Sequence, residues 1–392
     1  MSRPLVVGIN TLTTTARKAG VGEYISVLLD TLPALAPDWT FVVFTARDNG
    51  HMFRLDQPNV REVKVNLAHE PRLPMRLLYM AWQHFILPRH LRNHKIDVIH
   101  HPNTMLVRKG PVPSVITIHD LAEFHIPKYS PMRTRFRKKA VWTSVRTCER
   151  VISVSEHARQ DMIHLVGADP GKIVMTHEGF SPRFNRPTDK ACADFRREQG
   201  MEGVPFCLFV GSMHRSKNVP ILVDAVKRAK REIPDLKLVL AGARGDASVE
   251  IEQRIAMEGM TESVIRIGHV SDEAVPLWYA SANVVLYPSL FEGFGLPILE
   301  AQGTRSPLVA SNVASIPEVA GEGAVLLDPN DIEGWARAIV DVIRDESLRT
   351  RIISAGLRNL DRFDPEVVGR RVLDVYRAAV DDAASQERIR AK

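Results

Sequence analysis

Short apolar runs recur along the chain, and each is followed by a polar loop and then by a helical pattern. The runs are continuous rather than alternating and are rich in valine and isoleucine, which is typical of parallel strands buried on both faces of a sheet. In the first half they cover residues 5–9, 41–44, 60–65, 97–100, 115–118 and 151–153. The pattern predicts an α/β fold with a doubly wound sheet.

The repeat is interrupted once. Residues 181–204 are mostly polar and contain Pro182, Pro187 and Gly203, which predicts a linker. The strand and helix repeat then restarts at 206–210, and a length of 392 residues suits two domains. We therefore predict a first domain over 1–180, the linker, a second domain over 205–364 and a last helix over 365–392. Two such domains predict a ligand cleft beyond the carboxyl ends of their strands.

The two halves of the chain differ in net charge. Residues 1–190 contain 27 basic and 16 acidic residues, whereas 191–392 contain 25 and 30. Two segments, 71–95 and 128–146, combine basic residues with apolar and aromatic ones and contain no acidic residue. This combination predicts contact with an anionic membrane surface. Nucleic acid is a weaker candidate because no nucleic-acid-binding motif accompanies the charge, and solvated helix faces remain the alternative.

The cysteines and the apolar segments indicate the cellular compartment of the protein. Cys148, Cys192 and Cys207 have no close spacing, which argues against a disulfide framework or a zinc site. The apolar run 5–9 is not followed by a signal-peptide core, and no stretch approaches the roughly 18 apolar residues of a membrane span. We expect a cytoplasmic protein that contacts the inner face of the plasma membrane at its surface only.

The densest chemical signal lies in the segment 287–300, YPSLFEGFGLPILE. A strand ends before Pro288, and Pro297 suits the first position of a helix. The backbone N–H groups of Phe294, Gly295 and Leu296 then open a helix N-terminus, which is a binding site for phosphate.

Two carboxylates flank this helix start. Because Glu292 and Glu300 would repel a phosphate, we expect them to bind sugar hydroxyls instead. The segment therefore predicts a nucleotide sugar, with diphosphate on the helix end, ribose on Glu300 and the transferred sugar near Glu292. A solvated loop and an exposed helix glutamate form the alternative interpretation.

Two cations, Arg215 and Lys217, follow the first strand of the second domain. Cations in this loop can neutralise a diphosphate and stabilise the charge of a leaving nucleoside diphosphate. Solvated loop cations are the alternative. No Asp-x-Asp sequence occurs, so we predict neither a metal nor any other cofactor beyond the donor substrate.

These residues carry a family resemblance. The Glu292–Glu300 motif with its seven-residue spacer, the segment 118–121 (IHDL), the segments 152–157 (ISVSEH) and 177–184 (HEGFSPRF), and the segment 311–321 follow one another in the family's order. The chain thus resembles the family 4 retaining glycosyltransferases, which have the GT-B fold, and among them bacterial mannosyltransferases of polysaccharide biosynthesis. The resemblance covers nearly the whole chain and implies that the last helix, 365–392, crosses back to the N-terminal domain.

The resemblance implies a role for each matching residue. His119 and Glu292 are implied at the transferred sugar and its reactive centre, and Glu300 at the ribose. The remaining donor-binding positions implied are Gly20, Gly22, Arg215, Lys217, Val270, Phe294, Gly295 and Leu296. Three positions depart from the family pattern, because Ser212, Ser216 and Glu23 stand where many members have arginine, and Arg215 is the candidate replacement for either of the first two.

We therefore expect a retaining, metal-independent transferase. It would transfer a hexose to a hydroxyl of a lipid-linked or polysaccharide acceptor such as lipopolysaccharide. The preferred prediction is mannose from GDP-mannose. UDP-glucose or another UDP-hexose is the alternative donor. A non-catalytic sugar-nucleotide or lipid-binding protein is a second hypothesis. A dehydrogenase is a third, although the loop at Gly20 and Gly22 lacks the third glycine of a dinucleotide site.

Overall fold

The computed structural model describes residues 3–14, 20–68, 78–103, 106–126 and 130–390. Two units divide the chain: Met1–Gly179 together with Phe363–Lys392, and Phe180–Arg362. Each unit contains one sheet in which every strand pair is parallel. No helix within the described ranges is long and apolar enough to cross a bilayer.

The elements are numbered in chain order. The strands are β1 Val6–Asn10, β2 Thr40–Thr45, β3 Val60–Lys64, β4 Val98–His101, β5 Ser114–Ile118, β6 Arg150–Ser153, β7 Ile173–Met175, β8 Phe206–Val210, β9 Lys237–Ala241, β10 Val264–Gly268, β11 Val284–Tyr287, β12 Leu308–Ser311 and β13 Val325–Leu327. The α-helices are α1 Val21–Leu35, α2 Leu87–Asn93, α3 Ala122–His125, α4 Pro131–Thr147, α5 Glu156–Val166, α6 Asp189–Glu198, α7 Val219–Ala229, α8 Ser248–Met257, α9 Val275–Ser281, α10 Leu296–Gly303, α11 Ile316–Ala320, α12 Ile332–Arg344, α13 Glu346–Asn359 and α14 Pro365–Arg390. A π-helical turn, Trp82–Ile86, precedes α2.

The first unit has a seven-stranded sheet in the order β3-β2-β1-β4-β5-β6-β7. The strand order reverses between β1 and β4, which is the position where doubly wound sheets bind ligands. The C-terminal helix α14 completes this unit, because its Val372 and Tyr376 are buried in one cluster with Tyr24 and Leu28 of α1.

The second unit has a six-stranded sheet in the order β10-β9-β8-β11-β12-β13, so its strand order reverses between β8 and β11. Helices α7 and α12 pack over the sheet, and the buried Trp335 and Leu222 belong to their shared core with Leu240 and Leu286. The continuous apolar runs of the sequence therefore correspond to strands covered on both faces.

The stretch 181–204, which the sequence predicts to be a linker, contains regular structure. It contains helix α6, which belongs to the second unit. Phe195 is buried in an edge-on contact with Trp278, with ring centroids 5.0 Å apart. The side chain of Thr188 caps the helix by accepting a hydrogen bond from the Ala191 N–H. The polar residues that suggested a linker are the solvated face of a short amphipathic helix.

Candidate active site

Two loops meet at the strand reversal of the second unit. The loop after β8 and the loop after β11 are joined by a hydrogen bond of 2.8 Å from the Leu290 N–H to the Ser216 carbonyl. They bring Lys217 and Glu292 together, with 2.5 Å between Nζ and Oε1. The side chains are only 21% and 14% exposed, so this ion pair is largely shielded from water.

The loop after β11 has a defined path into α10. Gly295 has φ +111°, a conformation that L-residues rarely adopt, and the helix begins at the next residue. The hydroxyl of Ser315 shares its proton between the carbonyls of Glu292 and Phe294, at 3.0 and 2.9 Å. These contacts hold the backbone of the loop in place. The first-turn N–H groups of a helix have no intrahelical partner, so this end suits an anion.

Glu300 lies in the second turn of α10. Its Oε2 accepts a hydrogen bond of 2.8 Å from the hydroxyl of Tyr279 on α9. Burial, followed by the charge of Glu300, raises the pKa of Tyr279 well above its ordinary value, so the phenol remains a donor. Sequence reasoning missed Tyr279, because a tyrosine in an apolar helix has no motif that distinguishes it from an ordinary core residue.

Tyr287, the last residue of β11, supports the ion pair. The Lys217 ammonium lies 5.4 Å from the centroid of its ring, within the range of a cation–π contact. Burial and then the charge of Glu292 raise the pKa of the Tyr287 phenol well above its usual range. The site thus combines one cation and one carboxylate over an uncharged, buried aromatic ring.

Two further donor-binding candidates of the second unit are Arg215 and Val270. Arg215 is 74% exposed and forms its ion pair with Glu250, 3.8 Å from its Nε, rather than with Glu292. Val270 follows β10 by two residues and is half-buried at the same edge of the sheet. The structure therefore brings together Lys217, Glu292 and the start of α10, and leaves the Arg215 guanidinium outside that group.

His119 follows β5 in the first unit. Its Nδ1 is 2.7 Å from the Glu178 carboxylate and its Nε2 is 2.8 Å from the Pro102 carbonyl. A carbonyl and an ionised carboxylate can only accept, so with Glu178 ionised this geometry favours the doubly protonated imidazolium. Burial acts to lower the pKa of His119, but the hydrogen bond and charge of Glu178 outweigh it and raise the pKa above its ordinary value. Glu178, inside the 177–184 motif, is a functional candidate that sequence reasoning missed.

The two glycines of the first unit lie at the start of α1. Gly20 caps the helix with φ +54°, and Gly22 is buried in its first turn. Glu23 is also buried, next to the helix N-terminus, where a carboxylate is stabilised. Tyr24 follows, and its ring meets the His119 ring edge-on with centroids 4.9 Å apart.

A buried chain of hydrogen bonds extends from Tyr24 to the C-terminal helix. The Tyr24 and Thr117 hydroxyls are 3.0 Å apart, and His100 Nε2 is 2.8 Å from Thr117 Oγ1. His100 Nδ1 is in turn 2.7 Å from the hydroxyl of Tyr376 on α14. Burial lowers the pKa of His100 to about 3, so this histidine is neutral.

The two basic segments expose large apolar side chains. Residues 71–77 and 128–129 lie outside the described ranges; in the remainder, Leu78, Phe85 and Ile86 are exposed in the first segment, and Met132, Phe136 and Trp142 in the second. The first segment also lines a cavity of about 340 Å³, whose lining includes Phe85, Leu91 and the basic Arg108 and Lys109.

Comparison with known proteins identifies both halves of the chain. Residues 19–184 match the model of Glycosyltransferase Family 4, and 193–358 match that of Glycosyl transferases group 1. The O-antigen chain mannosyltransferase B of Escherichia coli is 31% identical over 290 residues, which cover 73% of this chain and 76% of that protein. The O-antigen chain mannosyltransferase RfbU of Salmonella typhimurium is 25% identical over 64% of this chain and 65% of its own length.

Solved structures agree on the fold. A crystal structure of the Anabaena protein HepE in complex with UDP and glucose superposes with a TM-score of 0.74, covering 94% of this chain and 98% of that one at 18% identity. WaaG, a glycosyltransferase involved in lipopolysaccharide biosynthesis, also gives a TM-score of 0.74, covering 94% of this chain and 99% of its own, at 16% identity. The chain therefore has the GT-B fold and belongs to the family 4 glycosyltransferases, where it resembles the bacterial mannosyltransferases.

Proposed function

We propose that this glycosyltransferase is a retaining, metal-independent hexosyltransferase that binds its nucleoside diphosphate sugar on the second unit. The observation that carries the proposal is the shielded Lys217–Glu292 pair beside the N-terminus of α10. An incoming diphosphate would accept hydrogen bonds from Lys217 and the helix end, which frees Glu292 for a sugar hydroxyl. Glu300, oriented by Tyr279, would then accept hydrogen bonds from the ribose.

The proposed transfer step retains the configuration at the anomeric carbon. The bond between the anomeric carbon and the diphosphate oxygen breaks, and the acceptor oxygen forms its bond to the same carbon on the same face. The departing phosphate oxygen takes the acceptor proton. Lys217 and the α10 N–H groups stabilise the charge that grows on the leaving group, which is where preorganised donors lower a barrier most. The family resemblance assigns His119 to the transferred sugar, and its Nε2 would have to exchange the Pro102 carbonyl for a sugar hydroxyl to make that contact.

The proposed donor is GDP-mannose, supported by the two O-antigen chain mannosyltransferases among the relatives. UDP-glucose or another UDP-hexose is the second candidate, because HepE shares the fold and was crystallised with UDP and glucose. We propose that Lys217 and the helix N-terminus neutralise the diphosphate without Mg²⁺ or any further cofactor.

The proposed acceptor is a lipid-linked or growing polysaccharide with a free hydroxyl. The first unit is proposed to bind the anionic, cytoplasmic face of a membrane rather than nucleic acid. Support comes from α4, which exposes Met132, Phe136 and Trp142 among basic residues, with Arg146 stacked 4.0 Å over the Trp142 ring. Sedimentation with anionic vesicles tests this contact. Phe136→Glu should reduce binding, and equal binding to zwitterionic vesicles would argue against it.

A donor panel tests the central proposal. Purified protein is incubated with GDP-mannose, UDP-glucose and other nucleotide sugars in the presence of EDTA, and hydrolysis or transfer to extracted lipid-linked glycans is measured. GDP-mannose should be turned over with retention at the anomeric carbon. Activity that is lost with EDTA and restored by Mg²⁺ would contradict metal independence.

Matched variants connect that activity to the site. Glu292→Gln should abolish transfer while the protein stays folded. Glu333→Gln removes an exposed carboxylate that pairs with Arg228 in the same unit and should leave transfer unchanged. Equal activity of both variants would contradict the assigned role of Glu292, and donor binding without turnover by any acceptor would favour a non-catalytic binding protein.

A further inference from the structure

Two histidines and an aspartate form a cluster in the first unit that the proposed transfer reaction does not use. They are His125, His157 and Asp161, and their ligand-type atoms all lie within 4.8 Å of one another. His125 Nε2 is 2.6 Å from Asp161 Oδ2, and His157 Nε2 is 3.6 Å from the same oxygen. We propose that this cluster is a binding site for Zn²⁺ or a similar divalent transition metal.

The spacing suits a metal of this class. Zinc bonds of about 2.0–2.1 Å at tetrahedral angles separate neighbouring ligand atoms by about 3.3 Å. The 3.6 Å separation on the His157 side is already close to that value. The 2.6 Å separation on the His125 side has to open by less than about 1 Å when a metal replaces the shared proton, which a side-chain rotation can supply. Imidazole and carboxylate together favour Zn²⁺ over Mg²⁺ or Ca²⁺.

The backbone holds the ligands in place. His157 and Asp161 are four residues apart on α5 and therefore share one face of it. The helix is well defined, because Ser155 caps its start by accepting from the Ala158 N–H, and Gly167 ends it in the left-handed conformation. The Cα atoms of the two ligands on α5 are therefore held about one helical turn apart.

The third ligand comes from a segment packed against α5. His125 is the last residue of α3, and the hydrophobic cluster under α3 contains Leu121 and Phe124 together with Met162 and Ile163 of α5. The three ligands therefore come from two elements that one core holds side by side. A tetrahedral metal would have three protein ligands and keep one position for water, the arrangement of an accessible zinc site rather than a closed structural one.

The site is separate from the proposed donor-binding residues, but it is connected to His119. Helix α3 begins three residues after His119, and the Asp120 carboxylate caps it by accepting from the Ala122 N–H at 3.0 Å. A metal that links α3 to α5 would restrain the segment that follows His119. We expect the bound metal to raise thermal stability while donor binding by the second unit stays unchanged.

Metal titration of the untagged full-length protein tests the proposal without donor or acceptor, so the result is independent of the proposed function. After treatment with a chelator and desalting, Co²⁺ should bind at one equivalent with the visible bands of a tetrahedral N/O site, and Zn²⁺ should displace it. His157→Ala and Asp161→Asn should each weaken Zn²⁺ binding by at least tenfold and remove the shift in melting temperature. His51→Ala, which removes an exposed histidine elsewhere in the first unit, should bind as the unaltered protein does.

Two results would overturn the site. One is the absence of saturable one-to-one binding. The other is equal affinity in His157→Ala, Asp161→Asn and His51→Ala, which would assign the metal to scattered surface histidines. Circular dichroism confirms that each variant is folded, and His125→Ala provides a second test on the separate element α3 if an α5 variant is unstable.

Discussion

Lys217 and Glu292 are 75 residues apart in the chain, yet their Nζ and Oε1 atoms are in direct contact at 2.5 Å. Neighbouring parallel strands, β8 and β11, bring them together, since each residue lies in the loop that follows one of these strands. This ion pair is shielded at the carboxyl ends of two central strands. Such a pair is unusual as a purely structural contact, because the cost of removing both charges from water offsets much of their attraction. This relationship makes Lys217 the most direct residue to test.

Removing the cation should reduce transfer without unfolding the protein. We expect Lys217→Ala to lower kcat about 10²–10³-fold, the effect of deleting one preorganised donor to a developing charge. Lys227→Ala removes a surface lysine that pairs with Glu258 in the same unit and should retain full activity. Steady-state kinetics with the preferred donor measures both, and comparable rates in the two variants would contradict the role of Lys217.

Tyr279 and Glu300 should act as one unit in donor binding. Tyr279→Phe removes a hydrogen bond to a carboxylate, worth about 1.5 kcal/mol, so donor affinity should fall about tenfold. Glu300→Ala should weaken binding at least as much, and the double variant should be no weaker than Glu300→Ala alone. Calorimetric titration of the nucleoside diphosphate measures this cycle, and additive losses would mean that the two residues act independently.

The His119–Glu178 pair predicts a pH dependence. The folded-state pKa of His119 is raised, so its contribution to stability is present below the unfolded value of about 6.5 and is lost as pH rises through the folded value. If the imidazolium is the active form, activity falls on the alkaline side. Glu178→Gln should move that alkaline limb of kcat/KM to lower pH, whereas Asp382→Asn, which affects a pair with Arg150, should not. A uniform loss of rate with no shift would show a packing role only.

Two buried neutral histidines predict sensitivity to mild acid. Burial lowers the pKa of His100 to about 3 and that of His101 to about 4, so below about pH 6.5 the unfolded chain binds protons that the folded chain does not. The free energy of unfolding should therefore decrease with falling pH by up to about 1.4 kcal/mol per unit for each histidine. Urea unfolding between about pH 6.5 and 5 checks this. His100→Gln should show a shallower slope, and an unchanged slope would contradict the assignment.

Gly242 should tolerate no side chain. It has φ +138°, and an added Cβ would lie 2.0 Å from the Gly211 carbonyl oxygen at the end of β8. We expect Gly242→Ala to cost more than about 2 kcal/mol and to displace the loop that carries Lys217. Gly259→Ala is the control, because Gly259 also has a positive φ, +68°, but open space around it, so only the backbone cost of about 1 kcal/mol applies. Similar melting temperatures for the two variants would contradict this packing.

Much of the architecture could be predicted because a buried parallel strand leaves a continuous apolar run. The apolar runs named above correspond to β1–β6 and β8, but within the described ranges β7 and β13 were missed, since three-residue edge strands such as Ile173–Met175 are too short to show a period. The start of α10 was also predicted one residue too late. Pro297 occupies the second rather than the first position of this helix, a difference that helix-start preferences do not resolve.

The candidate site could be predicted only where a motif carried the chemistry. Glu292, Lys217 and His119 lie in loops after strands, and Glu300 lies in the helix that follows one of these loops, so strand position and residue type together pointed to them. Tyr279 and Glu178 could not be found in this way, because their roles depend on which side chain they meet across the fold. The guanidinium of Arg215 points toward Glu250 on α8. This orientation depends on the packing of α8 and could not be predicted from the loop sequence.

The assignment of α14 to the first unit has a consequence for synthesis. The core of that unit includes Val372 and Tyr376, which leave the ribosome more than 190 residues after Gly179. The second unit is one uninterrupted stretch, Phe180–Arg362, so it can complete its fold during translation while the first unit still lacks its closing helix. A released chain truncated before residue 365 should therefore resist protease in its second unit and be cleaved in its first.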